Sequence, residues 1–396
     1  MLKPYDYQIE LSKQGLEILK NNGLVYLAME ERTGKTLTSI LICENTKCKK
    51  ILIVTKLNAI QGWTKTLYKY PHEKNYVVTN YHQVKKIKDK FDIIILDESH
   101  NYISKYPKTS GIWKDLKRIT LNTPIIYISA TPHAQGYQQL FNQFSLSSYS
   151  PWKKYKTFYA WFRKYGIPSY IYLYGRQIMQ YTRTLSNLIL KDVEHLFITK
   201  TRIELNFKVE PKDKLHYVEL CPDTKKLYNK ILKDKILFLD EGELVCDTSM
   251  KLRTSLHMVE GGVCKIEDRY IHLPNTEKID FIKNRFGDNP ANVIMFHYIG
   301  EGQKLKKHFK NTVLLSSTKY AEGINLYKYN NLIIYSQDFS TARHIQRRAR
   351  QTNTKRLDPI TVHFLLVKNS ISEQVYNTVA INKKNFTDTL FKRIEL

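Results

Sequence analysis

The stretch LAMEERTGKTLTSI (27–40) decides how the first half of the chain folds. It joins an apolar run, LVYLA (24–28), to a segment of helical length at 36–44, and Gly34-Lys35-Thr36 sits at the junction. A helix start directly after a buried strand can hold a phosphate. Its free N–H groups and positive dipole end point at the anion. Gly34 lets the backbone come close, Lys35 can reach the β- and γ-phosphates, and the Thr36 hydroxyl can ligate Mg²⁺. Two positions depart from the usual loop. Met29 stands where a small residue normally opens it, and Arg32 replaces a second glycine. A GK[ST] triplet alone turns up by chance in roughly one chain in five of this length. A surface lysine on a helix start is therefore the competing reading of these three residues.

Working outward, KILIVT (50–55), YVVT (76–79), DIIILD (92–97) and PIIYIS (124–129) are further apolar runs rich in β-branched residues. Segments of helical length at 36–44 and 58–70 lie between the runs. Strands apolar on both faces, alternating with helices, predict a doubly wound parallel sheet. The run ending at Asp97-Glu98, with His100 two residues on, places carboxylates at the edge where such sheets bind ligands. Asp97 could hold Mg²⁺, commonly through water. Glu98 could orient and deprotonate the water that attacks a γ-phosphate. An acidic strand-to-loop turn is the plainer alternative, but a DExH pattern arises by chance in only about one chain in thirty.

The segment 137–202 is aromatic, basic and mostly helical in pattern, with no clear buried strand. A helical stretch follows at about 222–260. A second α/β pattern then runs through NVIMFH (292–297), TVLLS (312–316), NLIIYS (331–336) and ITVHFLLV (360–367). The expectation is an α/β protein of two lobes, 1–202 with a helical protrusion at about 137–202, and 203–396 with a helical insertion at about 222–260.

Composition narrows the class. With 396 residues, 42% hydrophobic and 25% charged, the chain can bury large cores and is not a disordered polyelectrolyte. Its 63 Lys+Arg against 37 Asp+Glu leave a net charge of +26, which favours a polyanionic partner, most simply nucleic acid. The five cysteines show neither CxxC spacing nor a companion His cluster, so a zinc site is not expected and a reducing compartment is. No apolar run approaches a membrane span and the N-terminus has no signal-peptide core. A cytoplasmic protein is the expectation.

The motifs, in this order, resemble those of helicase superfamily 2, Swi/Snf type, and are similar to the small versions carried by bacteriophages, which would place the protein inside a bacterial host cell. LKPYDYQ (2–8) resembles the Q motif, where Gln8 would read the adenine edge. MEERTGKT resembles motif I, with Thr33, Gly34, Lys35 and Thr36 on the nucleotide. ILIVTKLNAIQGW (51–63) resembles motif Ia, LDESH motif II, ISATP (128–132) motif III and VIMFHY (293–298) motif IV. LLSSTKYAEGINL (314–326) resembles motif V, where Gly323 would meet the nucleotide, and QRRAR (346–350) resembles motif VI.

The resemblance implies two RecA-like lobes, ATP and Mg²⁺ as cofactors, and arginines that stabilise the transferring phosphoryl group. Arginine suits that task because its planar fork binds phosphate oxygens at two points. Anchoring motif VI on Gln346 makes Arg350 the first arginine and puts Asn353 at the second. Shifting the register pairs Arg347 with Arg350 and loses the glutamine. Arg350 is the expected main finger, with Arg347 next.

The same resemblance implies phosphate contacts from Thr55, Lys56, Tyr81, Ser129, Thr131, Ser317, Thr318 and Lys319, with Ser129 and Thr131 equally open to a coupling role. YSPWKKYKTFYAWFRKYG (149–166) either stacks bases between its lysines or packs its aromatics into the lobe, and the second reading is preferred. The implied activity is ATP-driven translocation on double-stranded DNA by a monomer. A strand-separating DNA or RNA helicase, or a nucleotide-gated assembly factor with little turnover, are the alternatives.

Overall fold

The computed structural model describes residues 2–133, 136–173, 176–320, 326–352 and 356–382. The chain divides into two compact units, Met1–Asn206 and Phe207–Leu396.

The first unit runs α1 (Asp6–Asn22), β1 (Leu24–Leu27), α2 (Lys35–Glu44), β2 (Lys50–Thr55), α3 (Ile60–Lys69), β3 (Asn75–Asn80), β4 (Ile93–Asp97), α4 (His100–Ile103), α5 (Gly111–Thr120) and β5 (Ile125–Ile128). It continues through α6 (Gln139–Phe144), α7 (Phe158–Tyr165), β6 (Ser169–Leu173), β7 (Arg176–Gln180), α8 (Ser186–Val193) and β8 (Phe197–Ile198). The main sheet has the order β3-β2-β4-β5-β1-β8 and every pair in it is parallel. The four residues of β1 and of β5 are all buried, as are Ile93–Leu96 of β4. Such strands can lie only in the middle of a sheet covered on both faces, which is why their sequence shows continuous apolar runs without alternation.

The expectation of a helical, strand-free 137–202 needs correction. The segment contains an antiparallel hairpin, β6–β7, and the short strand β8, which pairs parallel with β1. Two residues are too few for a periodic signal, and the hairpin is too exposed to read as a buried run. Trp152, Phe158, Trp161, Phe162 and Tyr165 are all buried in the core of the lobe, so most aromatics of 149–166 pack inward, as preferred, while Tyr149 and Tyr159 stay exposed.

The second unit contains β9 (Pro211–Tyr217), α9 (Pro222–Asp234), β10 (Ile236–Leu239), β11 (Gly242–Val245), α10 (Ser249–Glu260), β12 (Val263–Ile266), β13 (Arg269–His272), α11 (Glu277–Phe286) and β14 (Asn292–Phe296). After these come α12 (Ile299–His308), β15 (Val313–Ser316), α13 (Ser317–Tyr320), β16 (Asn331–Ile334), α14 (Thr341–Arg348), β17 (Ile360–Leu366) and α15 (Ile371–Tyr376). Its sheet, β15-β14-β16-β17-β9, is again parallel throughout. The stretch 222–260 is helix, hairpin, helix, and so is not wholly helical. Strand β9 escaped the sequence because PKDKLHY is largely polar and lies at the sheet edge, where only Pro211 and His216 are buried. Both units are thus RecA-like parallel sheets flanked by helices. Loops at the carboxyl ends of such strands are where ligands bind.

Candidate nucleotide site and its supports

In the first lobe, the loop between β1 and α2 is shaped by two left-handed residues. Gly34 has φ +81°, and a Cβ there would lie 2.1 Å from Gln8 Nε2. The left-handed backbone favours glycine, and a side chain there would also displace the Gln8 amide. Arg32 also has a positive φ, 66°, where a non-glycine residue costs roughly 1–2 kcal/mol. The chain accepts that strain where a glycine is usual.

Lys35 is tucked into the loop. Its Nζ donates to the carbonyls of Met29 and Glu30, both at 2.7 Å. Burial pushes its pKa down, against the opposing charges of Glu31, Glu98 and Asp97. Thr33 is buried and its hydroxyl donates to Glu30 O at 2.8 Å. Gln8 is buried too. Its Oε1 accepts from Tyr5 N at 2.9 Å and its Nε2 donates to Gly34 O at 3.1 Å, so the amide is engaged with the loop itself. The Tyr7 hydroxyl adds a bond to Thr33 O at 3.1 Å. Arg202, which sequence reasoning missed, lies against the same loop. Its backbone N donates to Glu30 Oε2 at 2.7 Å and its guanidinium is 3.5 Å from Glu31.

Strand β4 delivers the carboxylates. Asp97 Oδ2 accepts from Thr55 Oγ1 at 2.7 Å and from Trp63 Nε1 at 2.8 Å. The Tyr81 hydroxyl donates to Asp97 O at 2.8 Å, and its ring stacks on Tyr102 at 4.0 Å. Thr55, Trp63 and Tyr81 are all buried. They hold the aspartate from the interior of the lobe. Trp63 closes the motif Ia stretch, but nothing in a single sequence connects an indole N–H to a carboxylate 34 positions away. Glu98 takes a left-handed backbone, φ +53°, while its N–H donates to Ile128 O at 2.7 Å.

His100 links this strand end to the next one. Ser129 Oγ lies 2.8 Å from its Nδ1 and Thr131 Oγ1 lies 3.4 Å from its Nε2. Burial pushes the imidazole pKa down to about 3, so the ring is neutral at physiological pH. The approach of Glu98 Oε2, 3.5 Å from Nδ1, is then polar and not an ion pair. Gln143, also missed, is a buried hub below. Its Oε1 accepts from Tyr26 OH at 2.9 Å and Ser99 Oγ at 3.0 Å, and its Nε2 donates to Pro132 O at 2.8 Å. The one available signal was a pair of tyrosines in apolar strands, Tyr26 and Tyr127, which are register partners. Tyr127 OH donates to Gln143 O at 2.8 Å.

The second lobe carries the arginine helix. Arg347 is buried, its Nη2 3.4 Å from Asp338 Oδ2, and none of its guanidinium nitrogens has a hydrogen-bond partner among the described residues. Arg343 is 3.7 Å from the same carboxylate. Arg348 is tied to the edge strand β9, through Asp213 and, at 2.9 Å, Pro211 O. Arg350 is 8% exposed, at the end of the turn that follows α14. Ser317 is buried, 3.4 Å from His297 Nδ1, whereas Thr318 is exposed. Lys319 lies in α13. Gly323 and Asn353 lie outside the described residues.

The donor set fits Mg²⁺. Thr36 offers a hydroxyl and Asp97 a carboxylate, and this hard cation takes few protein oxygens, filling its shell with water and phosphate. No cluster of three or more His, Cys, Asp or Glu that could hold a metal occurs among the described residues. No helix among them is long and apolar enough to cross a membrane.

In the first unit, a GKT loop after one parallel strand and an Asp-Glu pair at the end of a neighbouring one form an arrangement able to hold a nucleotide phosphate. Residues 72–261 match the model of the SNF2-related domain, a range that takes in DESH, ISATP and the protrusion but begins after the GKT loop. The likeness to the SNF2-related domain covers just under half of the chain. Among solved structures, a Sulfolobus solfataricus SWI2/SNF2 ATPase core domain is similar at 14% identity over 98% of this chain and 92% of that one, with a TM-score of 0.42. No curated protein matches the chain.

Proposed function

We propose that this protein is an ATP-driven translocase on double-stranded DNA. The observation that carries the reading is the linked geometry of the first lobe. Lys35, Asp97 and Glu98 interact electrostatically at one sheet edge, and neutral His100 joins that edge to Ser129 and Thr131 on the next strand. In this reading the loop N–H groups, Lys35 and Thr36 bind ATP·Mg²⁺ and Glu98 activates water. Arg350, seconded by Arg347, stabilises the charge on the transferring phosphoryl group. A change at the γ-phosphate then reaches the Ser129–Thr131 turn through one imidazole.

The burial of Thr55, Tyr81, Ser129 and Ser317 favours positioning roles for these four, leaving Lys56, Thr131, Thr318 and Lys319 as the phosphate contacts. The net charge of +26 supports the polyanionic track. ATP hydrolysis measured with duplex DNA, single strands, RNA and no nucleic acid tests the reading. Duplex DNA should stimulate wild type and leave Lys35→Ala inactive. Equal turnover in all four conditions would remove the motor, and so would a wild type no faster than Lys35→Ala. DNA affinity should also fall steeply with added salt.

A further inference from the structure

The hairpin β6–β7 is a two-stranded ribbon whose best apolar groups face solvent. Tyr170 is 53% exposed, Tyr172 77% and Ile178 43%. Isolated two-stranded hairpins are marginal in water, so this one is held by its base. There Ile167 N donates to Arg183 O at 2.9 Å, Leu185 N donates to Tyr165 O at 2.7 Å, and Gly166 bridges Thr184. The Tyr181 ring packs on Phe162 and Phe158 at 5.0 and 5.7 Å. The ribbon therefore projects from a rigid, aromatic-cored platform.

The nearest acid at its base, Asp192, accepts from the Tyr165 hydroxyl and from Trp152 Nε1 at 3.0 Å, and the sequence around the hairpin is otherwise basic. From residue 116 to residue 191 the chain has no Asp or Glu, while Lys153, Lys154, Lys156, Arg163, Lys164, Arg176 and Arg183 surround the hairpin in sequence. Elsewhere the chain mixes both signs, so this is the least acidic part of an already basic protein. Exposed aromatics on a ribbon whose one charge is Arg176, in a basic stretch of chain, match a partner with flat apolar faces on a phosphate backbone. Tyr170 and Tyr172 stand on the same face, opposite Met179 and Gln177. Residues two apart on a strand are about 6.7 Å apart, close to two base-stacking steps of about 3.4 Å. One base fits between the two rings.

We propose that this hairpin stacks on unpaired bases at a duplex–single-strand junction, a contact separate from the phosphate grip of the two lobes. The proposal rests on the reading that the chain acts on nucleic acid. It adds a strand-parting element to a motor that could otherwise move without separating strands.

The test uses the full chain, a forked DNA with 2-aminopurine at the first unpaired base, and a blunt duplex of equal length. Wild type should bind the fork more tightly and quench the probe. Losing one stacked base–aromatic contact weakens binding roughly 5- to 150-fold. Tyr170→Ala with Tyr172→Ala should therefore lose the fork preference by tenfold or more, along with the quenching. Its blunt-duplex affinity, DNA-free ATPase and melting temperature should stay at wild-type values. Tyr172→Phe, which keeps the ring, should retain the preference. Unchanged fork binding in the double alanine variant would overturn the proposal and leave the face for a protein partner. An equal loss on blunt duplex would overturn it too. If wild type itself binds no DNA, the motor reading falls with the hairpin. If DNA stimulates the ATPase normally while the variants match wild type, only the hairpin falls.

Discussion

The two lobes share a sheet type and support two acids, Asp97 and Asp338, in different ways. The first lobe has a large aromatic core, and its strand-end aspartate, Asp97, is held from behind by neutral donors: the Thr55 hydroxyl, the Trp63 indole and, on the backbone, the Tyr81 hydroxyl. The second lobe keeps whole charges inside. Lys278 faces Glu260 at 3.7 Å with both side chains fully buried, and Arg347 faces Asp338 at 3.4 Å. Neutral hydrogen bonds fix a geometry at little electrostatic cost, whereas buried ions cost desolvation that only a well-placed partner offsets. The first lobe is a prepared site. The second holds charge whose removal from either side is expensive. Mutations in the two lobes should therefore fail in different ways: activity without stability in the first, stability first in the second.

The largest expected effect tests the first half of that contrast. Lys35→Ala or Glu98→Gln should lower ATP turnover by about 10²- to 10⁴-fold with little change in the thermal midpoint. A large drop in midpoint with either variant would contradict the prepared-site view.

Next comes the second lobe. Arg347→Ala leaves Asp338 buried without its main partner and should cost about 3–5 kcal/mol in denaturant unfolding. Arg347→Met combined with Asp338→Asn should recover most of this. If the single variant is as stable as wild type, the buried pair is not what holds this helix.

Third is a pH dependence confined to the second lobe. Glu301 is fully buried; its Oε2 accepts from His297 N at 3.1 Å and Tyr298 N at 3.0 Å, and the Ser336 hydroxyl donates to the same oxygen. Burial outweighs these bonds and pushes its pKa up to about 7. Between the ordinary glutamate value and about 7 the unfolded chain has lost this proton while the folded one keeps it. The stability from this group is thus full at acid pH and lost as pH rises through about 7. The loss should be on the order of 3 kcal/mol, and Glu301→Gln should flatten that part of the unfolding profile.

Smaller again is Trp63→Phe, which removes one donor to the Asp97 carboxylate. A hydrogen bond to a charged group is worth about 1.5–3 kcal/mol, so the Mg²⁺ concentration needed for half-maximal ATPase should rise about tenfold. An unchanged requirement would detach Trp63 from the metal. The smallest effect belongs to Arg32→Gly. Relieving a left-handed arginine should be worth about 1 kcal/mol or less once glycine's extra chain entropy is counted, with turnover retained.

How much of this was legible in the sequence follows the range of the interactions. Strands β1, β2, β4, β5, β14, β16 and β17 were readable because burial on both faces leaves unbroken apolar runs, a local property, and the half-buried edge strands β3 and β15 carry short apolar runs of the same kind. Strands β8 and β9 were not. One has two residues, and the other is a polar edge that is a strand only because β17 lies beside it. The same division runs through the site. GKT and DESH can be read locally because a loop at a helix start and a strand-end carboxylate are built from neighbours in sequence. Gln143, Trp63, Arg202 and Asp338 carry no such mark, since each acts on residues that the chain brings near only after folding. Thr55, Tyr81, Ser129 and Ser317 stood at the right motif positions, yet their burial was a matter of how strands and helices stack. The sequence alone determined the sheet type, the loop that can hold phosphate and the excess of positive charge, because short-range patterning and composition encode these. Only the tertiary structure decided which polar groups turn inward to support others and which, like the hairpin tyrosines, stay outside. That choice depends on which surfaces pack together and shut out water.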